Sequence, residues 1–230
     1  MAKKPKAEPK AKQIFESLRL PRFSEPTKGP AIIAIEGPNG AGKTTLSWAL
    51  SRKLGVPWCL GTDEAWAAEN LKTRMIRDAE WFASAMFFLS GCFEQTRLLQ
   101  QRSDRIIMMD RSFWSTLAVH GATEPEHLRA ILEMLRPIEQ SVVIPALTIV
   151  LEASFSTCQT RIARKTGVAR ALDELTATME FHRNEAGFYH WLGGQSPSIV
   201  FLDANLEDPD KVAESALALA KTKVSALAEL

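Results

Sequence analysis

The sequence predicts an α/β fold, a parallel sheet sandwiched between two helical layers, and three observations carry that prediction. Five short, mostly apolar runs, Ala31–Ile35, Val56–Leu60, Arg105–Asp110, Leu147–Glu152 and Ser198–Asp203, are spread along the chain and bounded by turn residues or charges. Helical apolar periodicity fills the gaps, so strands alternate with helices, the order that builds a parallel sheet covered on both faces. One glycine-rich segment, Gly37-Pro38-Asn39-Gly40-Ala41-Gly42-Lys43-Thr44, follows the first run and fits G-x-x-x-x-G-K-[ST] at every fixed position.

Taken in order, the chain opens with Lys3, Lys4, Lys6, Lys10 and Lys12 beside two prolines. That stretch has too little apolar surface to fold and is expected to be a disordered basic tail. It is Lys/Pro-rich and has no apolar run of its own, which argues against a transit or signal peptide. Ile14, Phe15, Leu18 and Leu20 predict a short amphipathic helix, ended by Pro21 and followed by a linker to Pro30. Residues 1–29 are therefore expected outside a single domain of residues 30–230 whose core begins at Ala31. Ala31–Ile35 reads as a buried strand, and Thr45–Leu54 is apolar at helical spacing. The long helical pattern Ala79–Arg102 carries Trp81, Phe82, Met86, Phe87, Phe88, Phe93 and Leu98. Thr123-x-x-Glu126 reads as a capping box that opens Pro125–Leu135.

Composition excludes several classes of function. A chain of 230 residues, 46% hydrophobic and 24% charged, is that of an ordinary globular domain. No apolar run approaches the roughly 20 residues that span a bilayer. A net charge of +1 gives no field that selects nucleic acid. Cys59, Cys92 and Cys158 are odd in number and far apart, so neither a disulfide framework nor a zinc site is indicated, and a reducing cytoplasm fits best.

The glycine-rich segment has a physical reading. Gly37, Gly40 and Gly42, with Pro38, Asn39 and Ala41 between them, let backbone N–H groups turn inward on phosphate, where Thr44 and Thr45 open a helix and add its positive dipole end. Lys43 would sit on the β- and γ-phosphates of ATP, and the Thr44 hydroxyl on a magnesium ion. Ligands of open parallel sheets gather beyond the carboxyl ends of the strands. Asp63 and Glu64 follow the second strand, Asp110-Arg111-Ser112 ends the third, and Arg161, Arg164, Lys165, Gly167 and Arg170 follow the fourth. Asp110 could hold magnesium with Thr44, and Arg111 could clamp an acceptor. An arginine after Asp110, where motor and transporter ATPases carry a second acid, favours a transferase. His120, His127, His182 and His190 have no ligand spacing.

These residues resemble the thymidylate kinases and the related deoxynucleoside kinases over most of Ala31 to Ala220. Ile35-Glu36-Gly37 through Thr45 looks like the thymidylate kinase opening, with Asn39 where Asp is usual. Asp110-Arg111-Ser112-Phe113-Trp114-Ser115-Thr116-Leu117-Ala118 resembles that family's Asp-Arg-Tyr segment. Leu147–Glu152, Arg161-Ile162-Ala163-Arg164-Lys165, Glu180-Phe181-His182 and Phe201-Leu202-Asp203-Ala204 resemble its fourth strand, lid, following helix and last strand. The resemblance implies a P-loop kinase three-layer sandwich with a five-stranded parallel sheet, dependent on ATP and Mg2+ and in many members a homodimer. It also implies a lid, here around residues 161–172, whose arginines approach the transferred phosphate. With no arginine in the phosphate loop, Arg164 or Arg170 is the expected source.

On the acceptor side the resemblance weakens. Gly61-Thr62-Asp63-Glu64-Ala65-Trp66 stands where thymidylate kinases carry Arg-Glu-Pro-Gly-Gly, and Gly91 and Cys92 stand where their long helix carries Asp-Arg. Met86 is nearest to the base-reading glutamine of deoxynucleoside kinases, whereas Ser112 and Ser115 lean toward their Glu-Arg-Ser segment. The expected activity is phosphoryl transfer from ATP to a nucleoside, a nucleoside monophosphate or a related small molecule. The alternative is an ATP-binding switch or assembly subunit without kinase activity. Two acids kept and two arginines lost favour a hydroxyl acceptor, with Asp63 or Glu64 as base and Arg111 holding the acceptor. The competing reading makes Thr62-Asp63-Glu64 an ordinary helix start. Trp66 or Trp114 could line the acceptor pocket, although aromatics at helical spacing mostly face the core.

Overall fold

The computed structural model describes residues 10–24, 29–66, 68–166, 173, 176–205 and 208–224. Five strands, β1 (Ala31–Glu36), β2 (Trp58–Leu60), β3 (Ile106–Asp110), β4 (Leu147–Glu152) and β5 (Ile199–Asp203), form one sheet in the order β2-β3-β1-β4-β5. Every pairing is parallel, as expected from the alternation of strands with helices. β2 starts at Trp58 rather than Val56, because Pro57 has no N–H to give the ladder and only its carbonyl takes part, accepting from Met108 N.

The central strands β1, β3 and β4 bury both faces. Ile33 and Ile35 pack with Leu46 and Leu50 of α2 (Lys43–Leu54) and with Val212 and Ala216 of α9 (Pro209–Lys223). Ile32 and Ala34 point the other way, toward Leu99 of α4 (Trp81–Leu99). The thicker layer on that side holds α4, α5 (Phe113–Thr123), α6 (Pro125–Leu135) and α8 (Met179–Gly193), whose buried centre includes Trp114, Leu117, Leu128, Ile131 and Phe188. Two further helices, α3 (Glu69–Arg77) and α7 (Phe155–Ala163), follow the ends of β2 and β4. No helix among the described residues is long and apolar enough to cross a membrane.

Two expectations are corrected. The core does not begin at Ala31. The predicted amphipathic helix forms, as α1 (Lys10–Ser17), but Phe15 is only 1% exposed and sits in the thick layer, edge-on to Phe188 with ring centroids 6.2 Å apart. Beyond α1 the chain is pinned by backbone bonds from Ser24 N to Val142 O and from Ile144 N to Ser24 O. Residues 1–9 lie outside the described residues. The second correction is at α6, which starts at Pro125 as expected but without a capping box. Glu124 is its N-cap and makes no side-chain capping bond, while Thr123 is the last residue of α5 and donates its hydroxyl to Val119 O. Pro at the first helical position already suits the start of α6, since it has no N–H to satisfy.

Register brings the functional segments to one rim. Ile35 of β1 and Leu60 of β2 both align with Asp110 of β3, so the phosphate loop, the segment after β2 and the Asp110-Arg111 turn leave the sheet side by side.

Candidate active site

Between β1 and α2 the phosphate loop folds as its glycines predict. Gly37 (φ 126) and Gly40 (φ 85) are left-handed, and a Cβ at either would lie 2.5 Å from a backbone oxygen, that of Leu151 or Cys158. Any other residue would both strain the backbone and push β4 or α7 away. Lys43 is 5% exposed and donates to Gly37 O and Pro38 O, each at 2.7 Å. Burial, with Arg111 second, pushes its ammonium pKa down, while Glu185, Asp110 and Glu36 act to hold the charge. Glu185, on α8, is itself buried, and burial raises its carboxyl pKa against the pull of Lys43 and Arg111.

A cavity of about 540 Å³ opens over the loop, lined also by Arg111, Arg161, Arg164, Lys165 and Ala204. Arg161 bridges its walls by donating to Ala41 O at 3.0 Å and Ala204 O at 2.9 Å. Arg164 caps the C-terminus of α7 and is exposed along this cavity, where a cation could reach a bound phosphate. Arg170, Gly167 and the rest of the second half of the expected lid, residues 167–172, lie outside the described residues. Lys165 pairs with Asp173 at 2.6 Å.

Asp110 and Thr44 meet as the sequence suggested. Thr44 Oγ1 donates to Asp110 Oδ2 at 2.6 Å, whereas the buried Oδ1 has no hydrogen-bond partner. A hydroxyl and a half-satisfied carboxylate at the mouth of a phosphate loop are the hard oxygen donors that Mg2+ takes, with phosphate and water completing its shell. The residues therefore fit the ion.

Arg111 is the one non-glycine residue among those described with a left-handed backbone (φ 69). Its guanidinium donates to Asn39 Oδ1 at 2.6 Å and to Ser115 Oγ at 3.3 Å, which joins the phosphate loop to the first turn of α5. Asn39 in turn donates to Thr176 Oγ1 at 3.1 Å. Beneath Arg111 lies Glu36, fully buried at the end of β1. Its carboxylate accepts from Ser112 N, the Ser112 and Ser115 hydroxyls and Tyr189. Burial raises the Glu36 pKa, and these donors together with Arg111 work against that rise.

The two acids after β2 differ. Asp63 Oδ1 accepts from Ala65 N at 2.9 Å, starting the 3-10 turn Glu64–Trp66, while Glu64 is exposed. Asp63 thus has the helix-start role, with its other oxygen uncommitted among the described residues. Trp66 donates to Ser90 Oγ at 3.0 Å and lies against Gly91, where a Cβ would come 2.8 Å from its ring. Trp114 is 1% exposed and belongs to the core. Burial raises the pKa of all three thiols, Cys59 and Cys158 to about 11, which works against their thiolate forms.

Sequence reasoning passed over Glu36, Lys72 and Glu185. Glu36 had a signal, a lone acid ending an apolar strand directly before the loop. Glu185 and Tyr189, four apart on α8, share a face, but nothing in the sequence says that this face looks at the phosphate loop. Lys72 on α3 is partly buried, and burial, with Arg111 second, lowers its pKa while Asp110 and Asp173 act to hold the charge.

Fold and site together define a P-loop kinase: a five-stranded parallel sheet, a phosphate loop closed by a buried lysine, and an acid and an arginine on the adjacent strand end. The family model for deoxynucleoside kinases matches residues 33–215, and the chain belongs to that family. It is accordingly a small-molecule kinase that uses a nucleoside triphosphate. Among solved structures, deoxyadenosine kinase from M. mycoides with bound dATP is similar at TM-score 0.65 and 19% identity, over 83% of this chain and 99% of that one. Thymidylate kinase from Candida albicans is similar at TM-score 0.59 and 20% identity, over 84% and 92%. No curated protein matches the chain.

Proposed function

We propose that this kinase transfers the γ-phosphoryl group of ATP to a hydroxyl of a deoxynucleoside-like acceptor, with Mg2+ held by Thr44 and Asp110. The observation that carries the reading is the Thr44–Asp110 bond at 2.6 Å with the second carboxylate oxygen buried and unpartnered, beside a phosphate loop in a chain of this family. When bound, the ion neutralises charge on the phosphates. The chain itself supplies position and electrostatics. Gly37 to Thr45 wrap the triphosphate, Lys43 leaves its carbonyl partners for the β- and γ-oxygens, Arg164 reaches them from the wall of the cavity, and Arg170, outside the described residues, is the second candidate cation. Arg111 sits between loop and acceptor, held by Asn39 and Ser115. Asp63, with one oxygen on Ala65 N, offers the other to the acceptor hydroxyl and takes its proton, and Glu64, exposed at the same turn, is the second candidate base.

Replacing Asp110 with Asn leaves an oxygen for Thr44 and removes the charge. We expect the magnesium titration to shift upward and turnover to fall roughly 10- to 100-fold, the usual scale for disturbed metal sites, with ATP affinity nearly kept. An unaltered titration and rate would make Asp110 structural.

A second reading, a monophosphate acceptor, is favoured by Lys72, which with Arg111 gives the acceptor side two cations. Assays with matched deoxynucleosides and their 5′-monophosphates, repeated on Asp63→Asn and Glu64→Gln, separate the two. The hydroxyl reading expects nucleoside turnover that drops on Asp63→Asn. Efficient monophosphate turnover indifferent to both substitutions would reject it, and Lys72→Ala would then raise the acceptor KM.

A further inference from the structure

The chain ahead of the sheet crosses the thick layer in two separately anchored pieces, divided at Pro21. The first is α1, which with Leu18 seats Ala11 and Phe15 in the core. The second, residues 22–24, is held by the 3-10 turn Arg136–Ser141 and by the chain that runs from it toward β4. Arg22 N donates to Glu139 Oε2 at 2.9 Å, Gln140 Nε2 donates to Arg22 O at 3.1 Å, and Ser24 Oγ donates to Gln140 O at 2.7 Å. Ser24 also forms a parallel bridge with Val143. Phe23 sits between these anchors, half-buried. Its ring meets two others edge-on, Phe113 at 5.5 Å and Trp114 at 5.8 Å.

Those two residues open α5 and follow directly on Arg111 and Ser112. The first N–H groups of a helix have no partners within it. Here Ser112 supplies them, its Oγ accepting from Trp114 N at 3.3 Å and its carbonyl from Ser115 N at 3.1 Å. Arg111 depends on that turn, because its guanidinium donates to Ser115 Oγ and its left-handed backbone persists only where the surroundings over-determine it. The buried Trp114 Nε1 has no hydrogen-bond partner among the described residues, so the indole is fixed by packing, against Phe113 at 4.1 Å and Phe23. We propose that Phe23 is a positioning residue for phosphoryl transfer: clamped beside Glu139 and Gln140, it braces the first turn of α5 and so keeps the Arg111 guanidinium aimed across the mouth of the phosphate loop. Phe23 touches no substrate, and its effect passes through Arg111. Residues 22–24 precede the span 33–215 matched by the family model, so the brace is supplied by chain outside that match.

The kinetic part of this inference rests on the kinase reading above and the structural part does not, so the test has two arms. In the first, Phe23→Ala and Phe23→Leu are assayed alone and combined with Arg111→Ala. Phe23→Ala should lower kcat/KM for the acceptor about tenfold, short of the ~10²-fold cost of an ångström-scale misplacement. Once Arg111 is gone it should cost less than about threefold, as coupled residues do. Phe23→Leu keeps an apolar wedge and should recover most of the loss. Phe15→Leu, in the separately anchored piece, should lower the melting temperature and leave kcat/KM within about twofold. Equal losses in both Arg111 backgrounds, a leucine variant at position 23 as poor as alanine, or the same kinetic loss in Phe15→Leu would overturn the proposal. The second arm follows amide hydrogen exchange of the first turn of α5, Phe113 to Thr116, which reads local opening without any substrate. Exchange there should quicken in Phe23→Ala and stay at the parental rate in Phe15→Leu. Unchanged protection in Phe23→Ala, or equal loss in both variants, would overturn the proposal even if the parent phosphorylates no acceptor offered, a result that would reject only the reading of its activity. If Phe23→Ala does not fold, Gln140→Ala, which frees Arg22 O from its clamp, replaces it in both arms, with smaller changes of the same pattern expected and the same outcomes deciding.

Discussion

Lys43→Ala is expected to leave a folded protein that has lost phosphoryl transfer by roughly 10²- to 10³-fold, the scale of a lost transition-state donor in a desolvated site. The ammonium is buried at the end of the phosphate loop, and no other described lysine lies within it. The fold is expected to tolerate the change because the charge of Glu185, buried within electrostatic reach, can be neutralised. Glu185 already has a raised carboxyl pKa from burial, and removing Lys43, the first group that pulls it down, raises it further. The sign of the pH dependence follows. A carboxyl whose folded-state pKa lies above its unfolded value favours the fold fully below the unfolded pKa, and that contribution is lost as pH rises through the folded value. Lys43→Ala should therefore melt near the parent at mildly acid pH and progressively lower above it, and adding Glu185→Gln should flatten that slope. Turnover near the parental rate would remove Lys43 from the transfer step, and a melting temperature of the single variant that rises with pH would reject the electrostatic coupling of Lys43 to Glu185.

Phe15→Ala is expected to cost about 3–5 kcal/mol, the range for a fully buried aromatic cut to alanine. That is a large part of the ~5–15 kcal/mol by which a domain is stable. The ring is 1% exposed, meets Phe188 edge-on and Trp191 at 6.5 Å, and lies over Gly121 and Gly187, where Cβ atoms would come 3.5 and 3.7 Å from it. Urea unfolding of the parent and variant measures the loss. A change below 1 kcal/mol would mean that α1 docks without contributing to the fold.

The contrast between these two residues marks what could be read in the chain. Lys43 was legible because the glycine spacing, the strand before it and the helix after it are all local, and the same holds for Asp110 and Arg111 at the end of an apolar run. For Phe15 the periodicity of α1 was legible and its destination was not, since an apolar stripe says nothing of which groove receives it. That groove is made by two glycines from α5 and α8, distant in sequence. Glu36 failed for the same reason, as its donors Ser112, Ser115 and Tyr189 come from two separate parts of the chain. For Asp63 the sequence offered two readings, base or helix start, and the bond to Ala65 N shows the helix-start contact.

The docking of α1 also orders events during synthesis. Phe15 leaves the ribosome before its ring partners Phe188 and Trp191, a delay on the order of ten seconds or more at ~5–20 residues per second. Until α8 arrives, the apolar stripe of the first helix has no groove, and α5 and α6 have an uncovered side. Closure of the thick layer is thus a late, long-range step, the slowest kind of contact to form, and Phe15 stays exposed on the nascent chain until α8 has been made.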